Sequence, residues 1–257
     1  RADPEFGGAG MFTNIGITLQ EVCSGACMSF MMYPGLSTAG ARVINKFGPE
    51  RWREPIALKM FGGEWTGTMC LTEAGAGSSV GDNRTKATPN GDGSFNLEGE
   101  KIFITGGDSD LGTNVCHLVL ARTPGAPEGI KGLSLFLVPK FLFDDDMNLG
   151  ERNGAHVLKL EHKMGINGSA TCVLGLGTRG TCKGWLVGNE CEGISVMFHM
   201  MNEARIGVSV QGLAAGSASY QFAKHYANER TQGSLIQEAR NPEAKPVTIV
   251  HHPDVRR

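Results

Sequence analysis

Hydrophobic positions change their spacing twice along the chain, and each change predicts a change of architecture. From Thr13 to about Phe47, the residues Ile17, Val22, Met28, Met31 and Met32, then Ala39, Val43 and Phe47, recur at helical spacing among small residues. Tyr33-Pro34-Gly35 predicts a division into two helices, because proline lacks an amide hydrogen and crowds the preceding turn. After Gly48-Pro49, EPIALKMFGG reads as one more short helix. The Met, Cys and Gly residues here read as adaptable packing against a neighbour rather than as a functional methionine stripe.

From Trp65 the pattern shifts to short runs of Val, Ile, Leu, Phe and Thr bounded by turn residues, which predicts strands at 65–72, 84–89, 95–104, 115–122, 133–139, 156–161, 171–176 and 181–187. Asn90-Gly91-Asp92-Gly93 is a strong hairpin signal between two of them. Consecutive short strands without intervening helices favour an antiparallel barrel or sandwich over a parallel sheet. From about Gly193 to about Arg230 the spacing is helical again, with Val196, Met200, Ala204, Val210, Leu213 and Phe222 among Gly207, Gly212 and Gly216. Glycines cost helix propensity, so their retention predicts close backbone packing. The final twenty-odd residues hold three prolines and read as irregular.

Composition narrows the partners. The 24 basic and 26 acidic residues of the 257 give a formal charge of -2, which offers no attraction to a polyanion such as DNA. Seven cysteines without CxxC spacing read as buried or half-buried free thiols, with one disulfide or a metal as lesser alternatives, and suit a reducing compartment. Read residue by residue, no apolar run approaches a membrane span and no signal segment is visible. Asn83-Arg84-Thr85 and Asn167-Gly168-Ser169 match the glycosylation pattern, a tripeptide that arises often by chance. A first residue of Arg followed by ADPEFGGAG raises the expectation of a piece of something longer.

The chemistry is concentrated in MCLTEAGAGSS, residues 69–79. GAGSS is neither GxGxxG opening a helix nor GxxxxGK with its lysine. Two readings stand: an ordinary tight turn, or a strand-to-loop transition whose small residues expose backbone N–H groups to an oxygen-rich ligand. Asp144-Asp145-Asp146 reads as a solvated run rather than a cation site, and His251-His252 lacks a third ligand, so no metal is expected. His162 lies in EHKMGINGS, either a turn that needs glycine or one that touches a phosphate.

MCLTEAGAGSS, DGSFNLEGEKIFITGG at 92–107, EHKMGINGSATCVL at 161–174, and MMNEARIGVSVQG with its helix ending YANERTQG at 226–233 together resemble the acyl-CoA dehydrogenase family, in family order and across most of residues 6–257. The EFGGAG opening and the closing IVHHPDVRR look most like its larger branch, which includes the dehydrogenase acting on 3-methylmercaptopropionyl-CoA. The resemblance implies a multidomain α and β protein: an N-terminal helical domain over 1–64, a middle antiparallel β-barrel domain over 65–190, and the start of a C-terminal helical bundle over 191–257.

The same resemblance implies FAD. It places Met69, Leu71 and Thr72 against the flavin ring, Gly77 and Ser78 by the pyrophosphate and the CoA pantetheine, and Phe103, Ile104 and Thr105 across the other side of the ring. Arg205 matches a position near the substrate entrance, while Arg230 and Gln232 match positions that reach the FAD of a second subunit. Where the family commonly has Pro, Asp, Trp and Phe, this chain has Ala74, Ser79, Phe103 and Gly233. Phe103 keeps an aromatic face and loses the indole N–H.

The implied reaction removes the α proton of an acyl-CoA thioester with a glutamate while the β hydrogen leaves as hydride to the flavin, whose electrons pass to an electron-transferring flavoprotein. The alternative base position of the family falls on Ala204, and Glu203 is one residue off, so the catalytic base is expected beyond residue 257 and the chain alone is expected to be inactive or very weak. Related acyl-CoA oxidases and non-catalytic proteins on the same scaffold are the alternatives. A homodimer or dimer of dimers is implied. Localisation in the bacterial cytoplasm, or alternatively the mitochondrial matrix, follows from the thiols and the branch.

Overall fold

The computed structural model describes residue 2 and residues 4–257. Helix α1 (Thr13–Phe47) runs through Pro34, and its one departure from helical geometry lies at Cys27, with φ −154° and ψ 92°. The break predicted at Tyr33-Pro34-Gly35 is therefore misplaced, because tertiary contacts hold that turn. Tyr33 Oη accepts the Ala170 amide at 2.8 Å, and a Cβ added to Gly106 would lie 3.0 Å from the Tyr33 ring. By length and composition α1 is apolar enough to cross a membrane, which the expectation of no such run missed because Gly, Ser and Cys interrupt it. Here it packs against α2 (Arg53–Phe61), strand β1 (Trp65–Cys70) and the long helix α3 (Gly193–Glu229).

Between the helices lie β2 (Lys86–Pro89), β3 (Phe95–Thr105), β4 (Asn114–Arg122), β5 (Leu133–Pro139), β6 (Phe141–Phe143), β7 (Leu149–Arg152), β8 (Ala155–Leu160), β9 (Thr171–Leu176) and β10 (Lys183–Val187). The main sheet runs in the order β1-β4-β5-β10-β3-β9-β8, with β2 beside β3 and β4, and β6 and β7 form a separate ribbon. The expected antiparallel β-barrel is thus overturned. The sheet keeps two ends, β1 and β8, and β1 pairs with β4 in parallel from Trp65↔Asn114 to Cys70↔Val119. Closure fails for two reasons. Strand β2 is four residues long and reaches β4 at one position, Lys86↔Arg122. Strand β3 changes neighbours along its length, pairing its first half with β2 and β10 and its second half with β9 across a register shift between Lys101 and Ile104.

Strand β4 shows why the central strands read as continuous apolar runs: both of its faces are buried. Leu118 and Leu120 join a core with Ile44, Ile56, Met60, Trp65, Leu135 and Met200. Val119 and Ala121 face the opposite core with Leu97, Phe136, Val138 and Leu174. The start of α3 is pressed onto this sheet, since a Cβ on Gly193 would sit 2.4 Å from the Ser134 carbonyl carbon. Close packing also holds at Gly207, where a Cβ would lie 2.9 Å from the Gln20 amide nitrogen, but Gly212 and Gly216 face open space. The later part of α3 exposes Leu213, Tyr220, Phe222 and Tyr226.

One smaller expectation also changes. Cys23 and Cys27 are exposed rather than buried, while Cys70, Cys116, Cys172 and Cys182 are buried free thiols. The Asp144-Asp145-Asp146 run is exposed, as the reading of a solvated run expects, and it also ties its turn: Asp144 accepts the Asn148 amide at 2.9 Å, and Asp145 accepts the Trp52 indole N–H at 2.8 Å.

Candidate functional site

Strand β1 delivers MCLTEAGAGSS to one end of the sheet. Leu71 is buried and Thr72 half-buried. Glu73 and Ala76 exchange backbone hydrogen bonds of 3.2 and 3.0 Å, so the tight-turn reading holds for residues 73–76. An open row follows, with Gly77, Ser78 and Ser79 exposed. A Cβ on Gly75 would meet nothing within 4 Å, and one on Gly77 only the Thr72 methyl at 4.0 Å. Internal packing therefore leaves both glycines open to a close-approaching ligand.

Beneath this loop lies a fully buried lysine. Lys101 Nζ donates to Leu71 O at 3.2 Å, to Glu73 Oε1 at 2.8 Å and to Asn83 Oδ1. Three acceptors use all three donors of an ammonium. Glu73 in turn accepts the Arg84 amide at 2.7 Å, the Thr85 amide at 3.0 Å and the Thr85 hydroxyl at 2.6 Å. Burial pulls the lysine below its usual range, with the Glu73 charge opposing. Burial alone would raise the Glu73 carboxyl, but the Lys101 charge and these hydrogen bonds hold it below the usual carboxylate range. The hydrogen-bond geometry is that of an ionised pair.

This knot joins the two strand segments that face the site. Ile102 N donates to Thr72 O at 2.8 Å, and one residue later the β3 irregularity puts Phe103 at φ 60°. A β-bulge re-aims side chains. Phe103 is 61% exposed, an unusual state for a large aromatic, while Ile104 turns into the core. Phe103, Thr105 and Met69 form one wall of a cavity of about 210 Å³, closed on the other side by Gln20, Met31, Met32, Gly35 and Leu36 of α1 and by Glu203, Ala204, Gly207, Val208 and Gln211 of α3.

The structure thus gathers Met69, Phe103 and Thr105 at one cavity, with Thr72 beside them and Gly77 and Ser78 in the adjoining loop. The side chains of Leu71 and Ile104 belong to the two cores, so only their backbone can serve a ligand. Arg205 lies on the exposed side of α3, over the Phe198 ring at 5.2 Å. Arg230 and Gln232 are not brought together with the cavity: Arg230 caps α3, about 40 Å along the helix from Ala204 at 1.5 Å per residue. There Arg230 contacts Gln232 Oε1 at 3.3 Å. Glu203 faces the cavity and is ion-paired with Arg42.

Residue-by-residue reading missed Glu73, Asn83 and Lys101 as the supports of the loop. A signal was present, since two-residue alternation in FNLEGEKIFIT puts Lys101 on the inward face with Phe95 and Leu97.

Residues 68–177 match the family described as acyl-CoA dehydrogenase, middle domain. Over 258 aligned residues the chain is 45% identical to the broad-specificity linear acyl-CoA dehydrogenase FadE5 of Mycobacterium tuberculosis, covering 99% of this chain and 42% of that protein. The chain belongs to the acyl-CoA dehydrogenase family. This family member is also 41% identical to the 3-methylmercaptopropionyl-CoA dehydrogenase of Ruegeria pomeroyi, over 98% of the chain and 42% of the relative. It therefore spans well under half the length of these two curated relatives. In fold it resembles the butyryl-CoA dehydrogenase of Megasphaera elsdenii, with a TM-score of 0.78 at 23% identity over 99% of this chain and 60% of that one.

Proposed function

We propose that this chain is part of a FAD-dependent acyl-CoA dehydrogenase that oxidises the α,β bond of an acyl-CoA thioester. The observation that carries the reading is the cavity wall formed by Met69, Phe103 and Thr105. It presents an exposed aromatic face and a hydroxyl next to a loop whose glycines leave room for a ligand. These features fit a flavin dinucleotide, a flat ring joined to a pyrophosphate. FAD, when bound, supplies the hydride acceptor.

The chain's own residues bind and orient. Phe103 and Met69 offer apolar, polarisable surface to a planar ring. Thr72 and Thr105 offer hydroxyls to its polar edge, and the backbone around Leu71 and Ile104 completes that edge. The exposed amides at Gly77 and Ser78 serve phosphate and pantetheine oxygens, with Arg205 at the substrate entrance. The α1 and α3 side chains exclude water from the reacting carbons. The distance of Arg230 and Gln232 from this cavity supports a role toward the FAD of a second subunit, in a homodimer or dimer of dimers.

The α proton goes to a glutamate outside these 257 residues, because the only carboxylate lining the cavity among the described residues, Glu203, is engaged by Arg42. Electrons then leave to an electron-transferring flavoprotein. Helices over 1–64, sheet over 65–190 and the helical region over 191–257 are proposed as the three domains. Identity to the Ruegeria relative supports placement in its branch, and the buried thiols support a reducing compartment such as a bacterial cytoplasm. Purified full-length protein is expected to retain FAD through gel filtration and to lose it more readily in Phe103→Ala. A flavin-free full-length protein that takes up no FAD contradicts the proposal.

A further inference from the structure

The cavity at Met69 and Phe103 has a neighbour. A second cavity of about 410 Å³ lies between α1 and the N-terminal segment, lined among others by Gly8, Met11, Leu19, Cys23 and Phe61. The two share four lining residues, Gln20, Met31, Gly35 and Glu203, so one thin partition separates them.

The four members differ in their freedom to move. Glu203 is tethered by Arg42. Gly35 contributes no side chain, and a Cβ built there would meet nothing within 4 Å. Met31 is unbranched and flexible. Gln20 reaches across from α1 to α3, where its amide nitrogen contacts Gly207 O at 3.4 Å, beyond the usual N–H···O range and therefore weak. No side chain at position 207 holds it in place. A half-buried neutral amide with one long hydrogen bond can swing aside and remain solvated.

We propose that the two cavities are successive lengths of one acyl-chain tunnel and that Gln20 is the gate between them. Short linear acyl groups end at Gln20. Long ones displace its amide from Gly207 O and continue past Gly35 toward Met11 and Phe61. This inference rests on the acyl-CoA reading of the first cavity and adds a residue that sets the accepted chain length.

The test uses full-length holoprotein and a series of non-reactive S-alkyl-CoA thioethers from butyl to hexadecyl, with affinities measured by calorimetry. Each methylene buried tightens binding about four-fold. Affinity is expected to climb, pause where the chain meets Gln20, and climb again. Gln20→Ala is expected to remove the pause and raise the hexadecyl-to-butyl affinity ratio by about fifteen-fold, the worth of two methylenes. Gly35→Leu, which fills the passage, is expected to lower that ratio by a similar factor. If Gly35→Leu fails to fold, Gln20→Ala alone decides. A ratio unchanged in Gln20→Ala overturns the gate while butyl-CoA binding upholds the acyl-CoA site. Failure of every alkyl-CoA to bind the wild-type protein overturns both.

Discussion

Replacing Lys101 with Met keeps the length of the side chain and removes its charge at the point where the loop and β3 are tied together. The side chain is fully buried, and the change deletes three hydrogen bonds, to Leu71 O, Glu73 Oε1 and Asn83 Oδ1. It leaves the Glu73 carboxylate without its counter-ion. Breaking a buried ion pair from one side costs about 3–5 kcal/mol. Glu73 keeps donors from Arg84 and Thr85, which places the expected loss near the lower end, about 3 kcal/mol. Lys101→Met/Glu73→Gln removes both charges and is expected to recover at least about 1 kcal/mol relative to the sum of the single changes, since contacting residues couple by roughly 0.5–3 kcal/mol. Urea unfolding of the full-length protein followed by tryptophan fluorescence reads these differences, with Trp52, Trp65 and Trp185 packed in one aromatic cluster as reporters. A loss under about 1 kcal/mol in Lys101→Met, or strict additivity in the double variant, refutes the ionised knot.

Three further outcomes are expected. Glu203→Gln in the full-length enzyme should lower kcat less than about ten-fold, since a general base is worth roughly a hundred- to ten-thousand-fold; a thousand-fold loss would make Glu203 the base. Burial lowers the pKa of His117 to about 4 from 6.5, with Asp108 opposing. The unfolded chain therefore takes up this proton first, so stability is lost as pH falls from 6.5 to 4, by about 3 kcal/mol at 1.36 kcal/mol per unit. His117→Asn should flatten that part of a stability-versus-pH curve, and an unchanged slope contradicts the assignment. Gly193→Ala should destabilise by about 1–3 kcal/mol by forcing α3 off the Ser134 backbone, measured by urea unfolding.

Spacing made the individual elements readable and left their partners hidden. The strands at 133–139 and 171–176 lie where short apolar runs bounded by turn residues predict, because each pattern is local. The parallel pairing of β1 with β4 is not local, and nothing in WTGTMC distinguishes it from a hairpin strand, so the inference of a closed antiparallel barrel failed. Strands β6 and β7 were missed because they are three and four residues long and β7 is exposed throughout; the aspartates between them are exposed as expected, and only the structure shows Asp144 capping the turn and Asp145 accepting from Trp52. At the site, family likeness pointed to Met69, Phe103 and Thr105, which the fold gathers at one cavity. It could not tell backbone from side chain at Leu71 and Ile104, whose facing follows from the register of β1 and β3. Lys101 was legible as an inward-facing charge, and Gln20 was not, since its place depends on how α1 crosses α3.

The central claim is that this chain supplies one wall of a flavin site that oxidises acyl-CoA. Its most direct test is an anaerobic titration of the purified full-length protein with saturated acyl-CoA esters, followed by absorbance. An oxidised flavin spectrum that bleaches on adding the ester and returns on adding an oxidised electron-transferring flavoprotein is expected. A spectrum that no acyl-CoA ester alters would contradict it.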